Sequence, residues 1–204
     1  VTTIVVPWRD TSPERATACR VTSSALRELL PGSPLILADS GHTVFNRSAS
    51  RNTGIRHLPD AEVVVVCDAD LLLERQPLLD AVAAAQDGRL HYPFTHCWYL
   101  DERHTTRVLA GADPQAGTAA AALHGAEGGV FVMQAGAWRG IGGMNEEFTG
   151  WGYEDNAFCA VASRTSGVRR HRGVIWHLWH PHERYSGSTE EAANLARARS
   201  AGCG

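Results

Sequence analysis

Residues 62–70 read EVVVVCDAD, a β-branched run that ends on two carboxylates. Such a run offers no polar face to water. Glu62 to Cys67 is therefore expected as a strand buried on both faces, the habit of parallel sheets covered by helices. The surrounding pattern agrees. Thr3 to Pro7 is a short apolar strand. Ser12 to Leu30 is a helix, with Ser12 as cap, Pro13 in its first turn and the PGS of residues 31–33 as its stop. Pro34 to Asp39 is a second strand, Ala49 to Leu58 a short helix, Leu72 to Gln86 a helix, and Leu90 to Thr95 another strand. This βαβ rhythm predicts an α/β fold with a mostly parallel central sheet flanked by helices. Ligands of such sheets bind beyond the carboxyl ends of the strands, where Asp39, Asp68 and Asp70 fall.

The second half is less regular. Asp101 to Gly128 is rich in Ala, Gly and Thr and reads as a long loop with a weak helix at Thr118 to Leu123; loops of that length in a compact domain are usually functional or mobile. Gly129 to Gln134 is a strand, Gly136 to Gly140 a short helix, Asp155 to Ser166 a helix ended by Gly167, Val174 to His180 a last strand, and Thr189 to Ser200 a terminal helix capped by Ser188. A length of 204 residues suits one domain.

Charge and cysteines narrow the function classes. A formal net charge of −3 provides no basic field for a nucleic-acid backbone. No apolar run approaches the ~20 residues of a membrane span. The start, VTTIVVPWRD, reads as a first strand and not as a signal peptide. The 5 cysteines are odd in number and lack CxxC spacing, so free thiols in a reducing, cytoplasmic setting are expected.

Two motifs carry chemistry. Strand alternation places Asp68 and Asp70 on one face, roughly 7 Å apart along the backbone. Two carboxylates converging there repel each other unless a cation sits between them. Hard oxygen ligands suit Mg²⁺ or Mn²⁺, which can also bridge and neutralise a diphosphate. The second motif is GGMNEEFTGWGYEDNAF, residues 142–158. Its glycines permit tight turns. Trp151 and Tyr153 offer flat faces suited to the apolar side of a sugar ring, with Gly152 between them. Glu154 and Asp155 open a helix, where negative charge is favoured, and a carboxylate in a cleft can take a proton from an attacking hydroxyl.

The segment GGMNEEFTGWGYEDNAFCAVA resembles the C-terminal signature of the β-1,4-galactosyltransferase family, which is similar in polypeptide N-acetylgalactosaminyltransferases and in bacterial and phage relatives. VVVVCDADLLLE resembles the DxD element of the same GT-A fold, IVVPWRD its first strand, and SASRNTGI the helix beside the nucleotide. The resemblance implies one GT-A catalytic domain over residues 1–204. Residues 1–100 would bind a nucleotide-sugar donor; 101–204 would bind the acceptor and include the C-terminal helix. It implies a UDP-sugar donor, Mn²⁺ (or Mg²⁺), and a glycan, protein or small-molecule acceptor. By position, Pro7 and Arg9 would border base and ribose, Asp39 the uracil or ribose, and Arg51 and Asn52 the pocket wall. Asp68 and Asp70 would hold the metal and ribose-diphosphate. Trp151 would floor the acceptor site, Glu154 would orient the acceptor, and Asp155 would be the general base. An ED pair matches the inverting members; retaining members usually carry EN. The family pattern has glycine where Tyr153 stands, so the ring would crowd that space. One metal ligand is expected from the last core strand. His177 and His180 both fit, and their odd spacing puts them on opposite faces of a strand, so one of the two should reach the metal; similarity to the position of the family's histidine slightly favours His177, with His180 reaching the diphosphate as the other possibility.

Two other activities fit parts of the pattern. A sugar-nucleotide nucleotidyltransferase shares the sheet and the carboxylates, but would carry a glycine-rich basic loop after the first strand, which PWRDTSPERA lacks. A non-catalytic carbohydrate-binding protein of this fold would have no need of intact DxD and ED pairs.

Overall fold

The computed structural model describes residues 1–117, 119–150, 152–181 and 189–202. The chain opens with strand β1 (Thr2–Pro7), helix α1 (Pro13–Leu29), strand β2 (Leu35–Ala38), helix α2 (Arg47–Ile55) and strand β3 (Val63–Cys67). Ser12 caps α1 by accepting from the Arg15 amide at 3.3 Å, and Asn46 caps α2 by accepting from the Ala49 amide at 2.8 Å. Each satisfies an amide that the first turn leaves without an intrahelical partner. All five residues of β3 are buried. Removing each valine of the run from water contributes about 2 kcal/mol.

After β3 the chain changes sheets. Asp68 to Asp70 form the crossing, and strand β4 (Leu71–Leu73) pairs in a second sheet before helix α3 (Arg75–Ala84) begins. The expected helix from Leu72 is thus corrected at its start: three consecutive leucines are drawn into the sheet because tertiary pairing there outweighs their helix propensity. Next come strands β5 (Leu90–Tyr92) and β6 (His96–Tyr99), helix α4 (Glu102–Leu109), strands β7 (Ala121–His124) and β8 (Val130–Gln134), and helices α5 (Ala135–Gly140) and α6 (Glu154–Arg164). Strands β9 (Val168–Arg170) and β10 (Val174–His177) and helix α7 (Thr189–Ser200) follow.

The larger sheet runs β2-β1-β3-β8-β5-β9 and the smaller β4-β10-β6-β7. In the larger, β1–β2, β1–β3 and β5–β9 are parallel, while β8 runs antiparallel to both β3 and β5. Strands β8 and β9, from the second half of the chain, complete a sheet begun by the first. One main apolar cluster runs from Ile4 and Val65 through Phe131 and Trp138 to Phe158 and Ile175.

The stretch expected as a loop from 101 to 128 is more ordered than its composition suggests. Asp101 caps α4 by accepting from the His104 amide at 2.6 Å. The helix expected at Thr118 to Leu123 is instead β7: Ala122 and Leu123 pair with Trp98 and Cys97, and edge pairing overrides alanine's helical preference. Thr118 itself lies outside the described residues, as does Ser188, the expected cap of α7. Cys19, Cys67, Cys97 and Cys159 are free and buried. Among the described residues no helix is long and apolar enough to cross a membrane.

Candidate active site

The site assembles where β1, β2 and β3 end and the crossing segment meets β10. The backbone pins that segment at both ends. The Asp68 amide donates to the Gly129 carbonyl, and the Leu178 amide donates to the Asp70 carbonyl, each at 2.8 Å. Asp68 and Asp70 therefore stand between the two sheets, and their side chains take different partners.

Asp70 faces histidines. Its carboxylate oxygens lie 3.8 Å from His177 Nε2 and 3.3 Å from His180 Nε2. One ligand atom from each of the three residues lies within 4.8 Å of the others. Burial pushes the Asp70 carboxyl up, but His177 and His180 outweigh it and hold it well below the usual carboxylate range. The expectation that only one of the two histidines would reach this point is corrected. Strand β10 ends at His177, and the chain then turns as the Trp179 amide donates to Thr105 Oγ1 at 2.8 Å, so strand alternation no longer separates the two rings. Tyr99, opposite His177 in register, lays its ring 4.9 Å from the imidazole.

Asp68 is not part of this group. Its partner is Arg51, which donates from Nη2 to Asp68 Oδ1 at 2.7 Å and from Nη1 to Asp155 Oδ1 at 2.5 Å. Arg51 is wholly buried, its guanidinium 5.0 Å from the Phe131 ring centre. Arg51, expected in the pocket wall, is thus sealed from solvent behind the acids. One helical turn earlier Arg47 pairs with Glu154, a buried carboxylate. The two arginines sit four residues apart, so α2 presents them on one face toward the first turn of α6. Desolvation, reinforced by Glu154 and Asp68, pushes the Asp155 carboxyl up to about 7 despite the opposing pull of Arg51. Gly128 permits this approach, since a Cβ there would collide with Asp155 Oδ2.

Asn52 has a different use from the one expected. Its amide donates to the Met144 carbonyl at 2.8 Å and to Glu146 Oε1 at 2.9 Å. Its oxygen accepts from Trp138 Nε1 at 2.9 Å and from the Met144 amide at 3.0 Å. With both donors and both lone pairs taken, nothing remains for a nucleotide. Asn52 clamps the segment leading to the acidic pair, and Asn46 adds a bond to the Glu146 carbonyl at 2.7 Å. Gly143 in that segment has φ +67°, a conformation that favours glycine.

At the ends of β1 and β2, Arg9 donates from Nε and Nη2 to the two oxygens of Asp39, both at 2.7 Å, in a partly exposed bidentate pair. The hydrogen bonds from Arg9 draw the Asp39 carboxyl below its usual value. Pro7 is buried at the end of β1, opposite Ala38. Before α6, Trp151 lies outside the described residues, as do His182, Arg184 and Tyr185. Gly152 has φ +101°, and Tyr153 adopts φ +69°, the left-handed conformation that is strained for a bulky side chain. Its ring packs against the cluster of Phe148, Ala157 and Ala198 and lines a cleft with Asn156 and Leu195. The Tyr153 ring, expected to crowd space that glycine leaves open in the family, thus turns toward α7.

Sequence reading missed Asn46 and Arg47. The helix was expected to begin at Ala49, and starting it two residues too late hid the cap and the Arg47–Arg51 spacing. The signal was present in NRSASR.

No curated protein matches the chain by sequence. Residues 121–185 match the family described as the N-terminal domain of galactosyltransferase. That span runs from β7 through β10 and carries Glu154, Asp155, His177 and His180. Solved structures that share the fold include two glycosyltransferases. The catalytic domain of Drosophila β1,4-galactosyltransferase 7, in complex with xylobiose, superposes with a TM-score of 0.57 at 17% identity, covering 97% of this chain and 79% of that one. GalNAc-T7 with UDP, GalNAc and Mn²⁺ gives 0.55 at 10% identity, covering 98% of this chain and 48% of that one. The chain thus has the GT-A fold of the galactosyl- and N-acetylgalactosaminyltransferases, and residues 121–185 carry the galactosyltransferase sequence pattern within it.

Proposed function

We propose that this protein is a metal-dependent glycosyltransferase that moves a sugar from a UDP-sugar to an acceptor hydroxyl, with inversion and with Asp155 as general base. The observation that carries the reading is the link through Arg51: Asp155 at the head of α6 and Asp68 at the end of β3 share one guanidinium, so the acidic pair and the DxD segment border the same cleft. The fold relative crystallised with UDP, GalNAc and Mn²⁺ supports the donor class and the metal. The relative in complex with xylobiose supports a sugar acceptor.

Asp70, His177 and His180 would hold the cation. One carboxylate and two imidazoles suit Mn²⁺ better than Mg²⁺, which prefers oxygen alone. When bound, the cation would neutralise charge growing on the leaving diphosphate. Arg9, Asp39 and Pro7 would border the base and ribose, and Asp68 the ribose-diphosphate. Glu154, buried and paired with Arg47, would orient the acceptor, with Trp151 as the floor of its site. Asp155 would take the proton from the acceptor hydroxyl as its oxygen bonds to the anomeric carbon and the bond to UDP breaks on the opposite face. A carboxyl near 7 is matched to that task at neutral pH.

The test is a panel of UDP-sugars incubated with simple glycosides and Mn²⁺, read by UDP release and by the anomeric signal of the product. The reading expects UDP release that chelation abolishes, and a product of inverted configuration. Retention of configuration would remove the assignment of Asp155 as base, and release of pyrophosphate would point to nucleotidyl transfer instead.

A further inference from the structure

Among the described residues, Arg51 is the one arginine without solvent exposure. A guanidinium sealed in this way cannot touch a phosphate or a sugar in the cleft, so it acts only through the groups it holds. Those groups come from two distant parts of the fold. One terminal nitrogen bonds Asp68, just past β3, and the other bonds Asp155, in the first turn of α6. The guanidinium itself is fixed from several sides. It lies over Phe131, Nη1 is 3.3 Å from Met144 Sδ, and the neighbouring Asn52 ties the same helix to the 144–146 segment.

We infer that Arg51 is a positioning residue: its planar fork sets the separation and orientation of Asp68 and Asp155, holding the proton acceptor in line with the donor's diphosphate. The inference rests on the transferase reading above. Geometry distinguishes this role from simple charge balance. Lysine would supply the same charge, but from one tetrahedral nitrogen that cannot give each carboxylate its own in-plane donor. A buried ion pair is also a poor stabiliser, often no better than apolar residues of similar volume. The burial of this cation, whose Nε has no partner among the described residues, is therefore better explained by the geometry it imposes. Arg47 makes a useful contrast. It is partly exposed and, among the described residues, bonds Glu154 alone, so it can meet a ligand directly.

The deciding experiment is Arg51→Lys in the full chain, compared with wild type for kcat, donor KM, and binding of UDP with Mg²⁺ by calorimetry. Misplacing a reacting group by about 1 Å costs on the order of 100-fold. The expected result is a loss of that size in kcat that exceeds the change in UDP binding and donor KM, which move only as far as Asp68 shifts. A variant that melts lower yet keeps wild-type kcat per folded molecule overturns the positioning role and leaves the transferase reading standing. A wild-type chain that binds no UDP and transfers no sugar overturns both. Should the lysine variant not fold, nitrogen-15 NMR of the wild-type Arg51 side chain replaces it. Separate, rotation-hindered Nη signals that shift on addition of UDP and Mg²⁺ support the inference, and one averaged signal indifferent to ligand refutes it.

Discussion

At the α2 end of the cleft, three carboxylates, Asp68, Glu154 and Asp155, meet two guanidiniums, Arg47 and Arg51. At the β10 end, one carboxylate, Asp70, meets two imidazoles. Arginine stays protonated at any working pH, so the first cluster holds two permanent cations against three carboxylates, and Asp155 is the acid left to titrate near 7. An imidazole nitrogen can offer a lone pair to a metal ion, so the second cluster is a set of ligand atoms already drawn together. The same type of side chain, an aspartate two residues further along one strand end, therefore serves different chemistry. Asp68 is claimed by a fixed cation, whereas Asp70, on the proposed reading, would take an exchangeable one.

Four measurements would break or sharpen this contrast, from the largest effect to the smallest. Asp155→Asn keeps a similar shape but removes the proton acceptor, so kcat should fall by about 10²–10⁴ while UDP binding persists. Full activity in that variant would show that the α2 cluster is structural. Asp70→Ala should leave the fold intact and raise the Mn²⁺ concentration for half-maximal activity by at least about 10-fold, the low end of what loss of supporting groups costs a metal site. Unchanged metal dependence would move the cation elsewhere.

The third measurement is a pH series. With its carboxyl near 7, Asp155 must lose its proton to act, so kcat/KM should fall as pH drops through that value. Stability should respond in the opposite sense. The folded-state value lies above the ordinary aspartate value of 3.8, so the folded chain binds this proton more tightly than the unfolded chain. The stability this provides is complete below the lower value and lost as pH rises through about 7. A pH-rate profile flat from 6 to 8 would contradict the environment described for Asp155. The smallest effect is expected from Asn52→Ala. It strands the groups that Asn52 holds on Trp138 and Met144, costing about 1–3 kcal/mol in denaturant unfolding, with donor KM unchanged. A large rise in donor KM would restore Asn52 to the nucleotide pocket.

Much of this was readable before the fold was known. Continuous β-branched runs such as VVVVC announce buried strands by local chemistry alone, and caps such as Ser12 before Pro13 announce a helix in the same way. Errors fell where long-range pairing decides. Leu72 and Leu73 read as helix until β10 supplies a partner, and Ala121 to Leu123 do so until β6 does. At the site, the residue types could be named from the motifs, but their alliances could not. Nothing local places Arg51 between Asp68 and Asp155, separated from it by 17 and 104 residues.

The sequence by itself determined the ingredients: strands that end on carboxylates, an acidic pair at a helix start, and histidines at the end of the last strand. These follow from side-chain chemistry and backbone period, which act over a few residues. The tertiary structure alone decided that Asp70 gathers both histidines, that Asp68 goes to Arg51, that Asn52 is spent on a loop and that Tyr153 turns to α7. Each of these depends on which distant segment arrives alongside. Chain crossings between sheets set that arrival, and no local pattern encodes it.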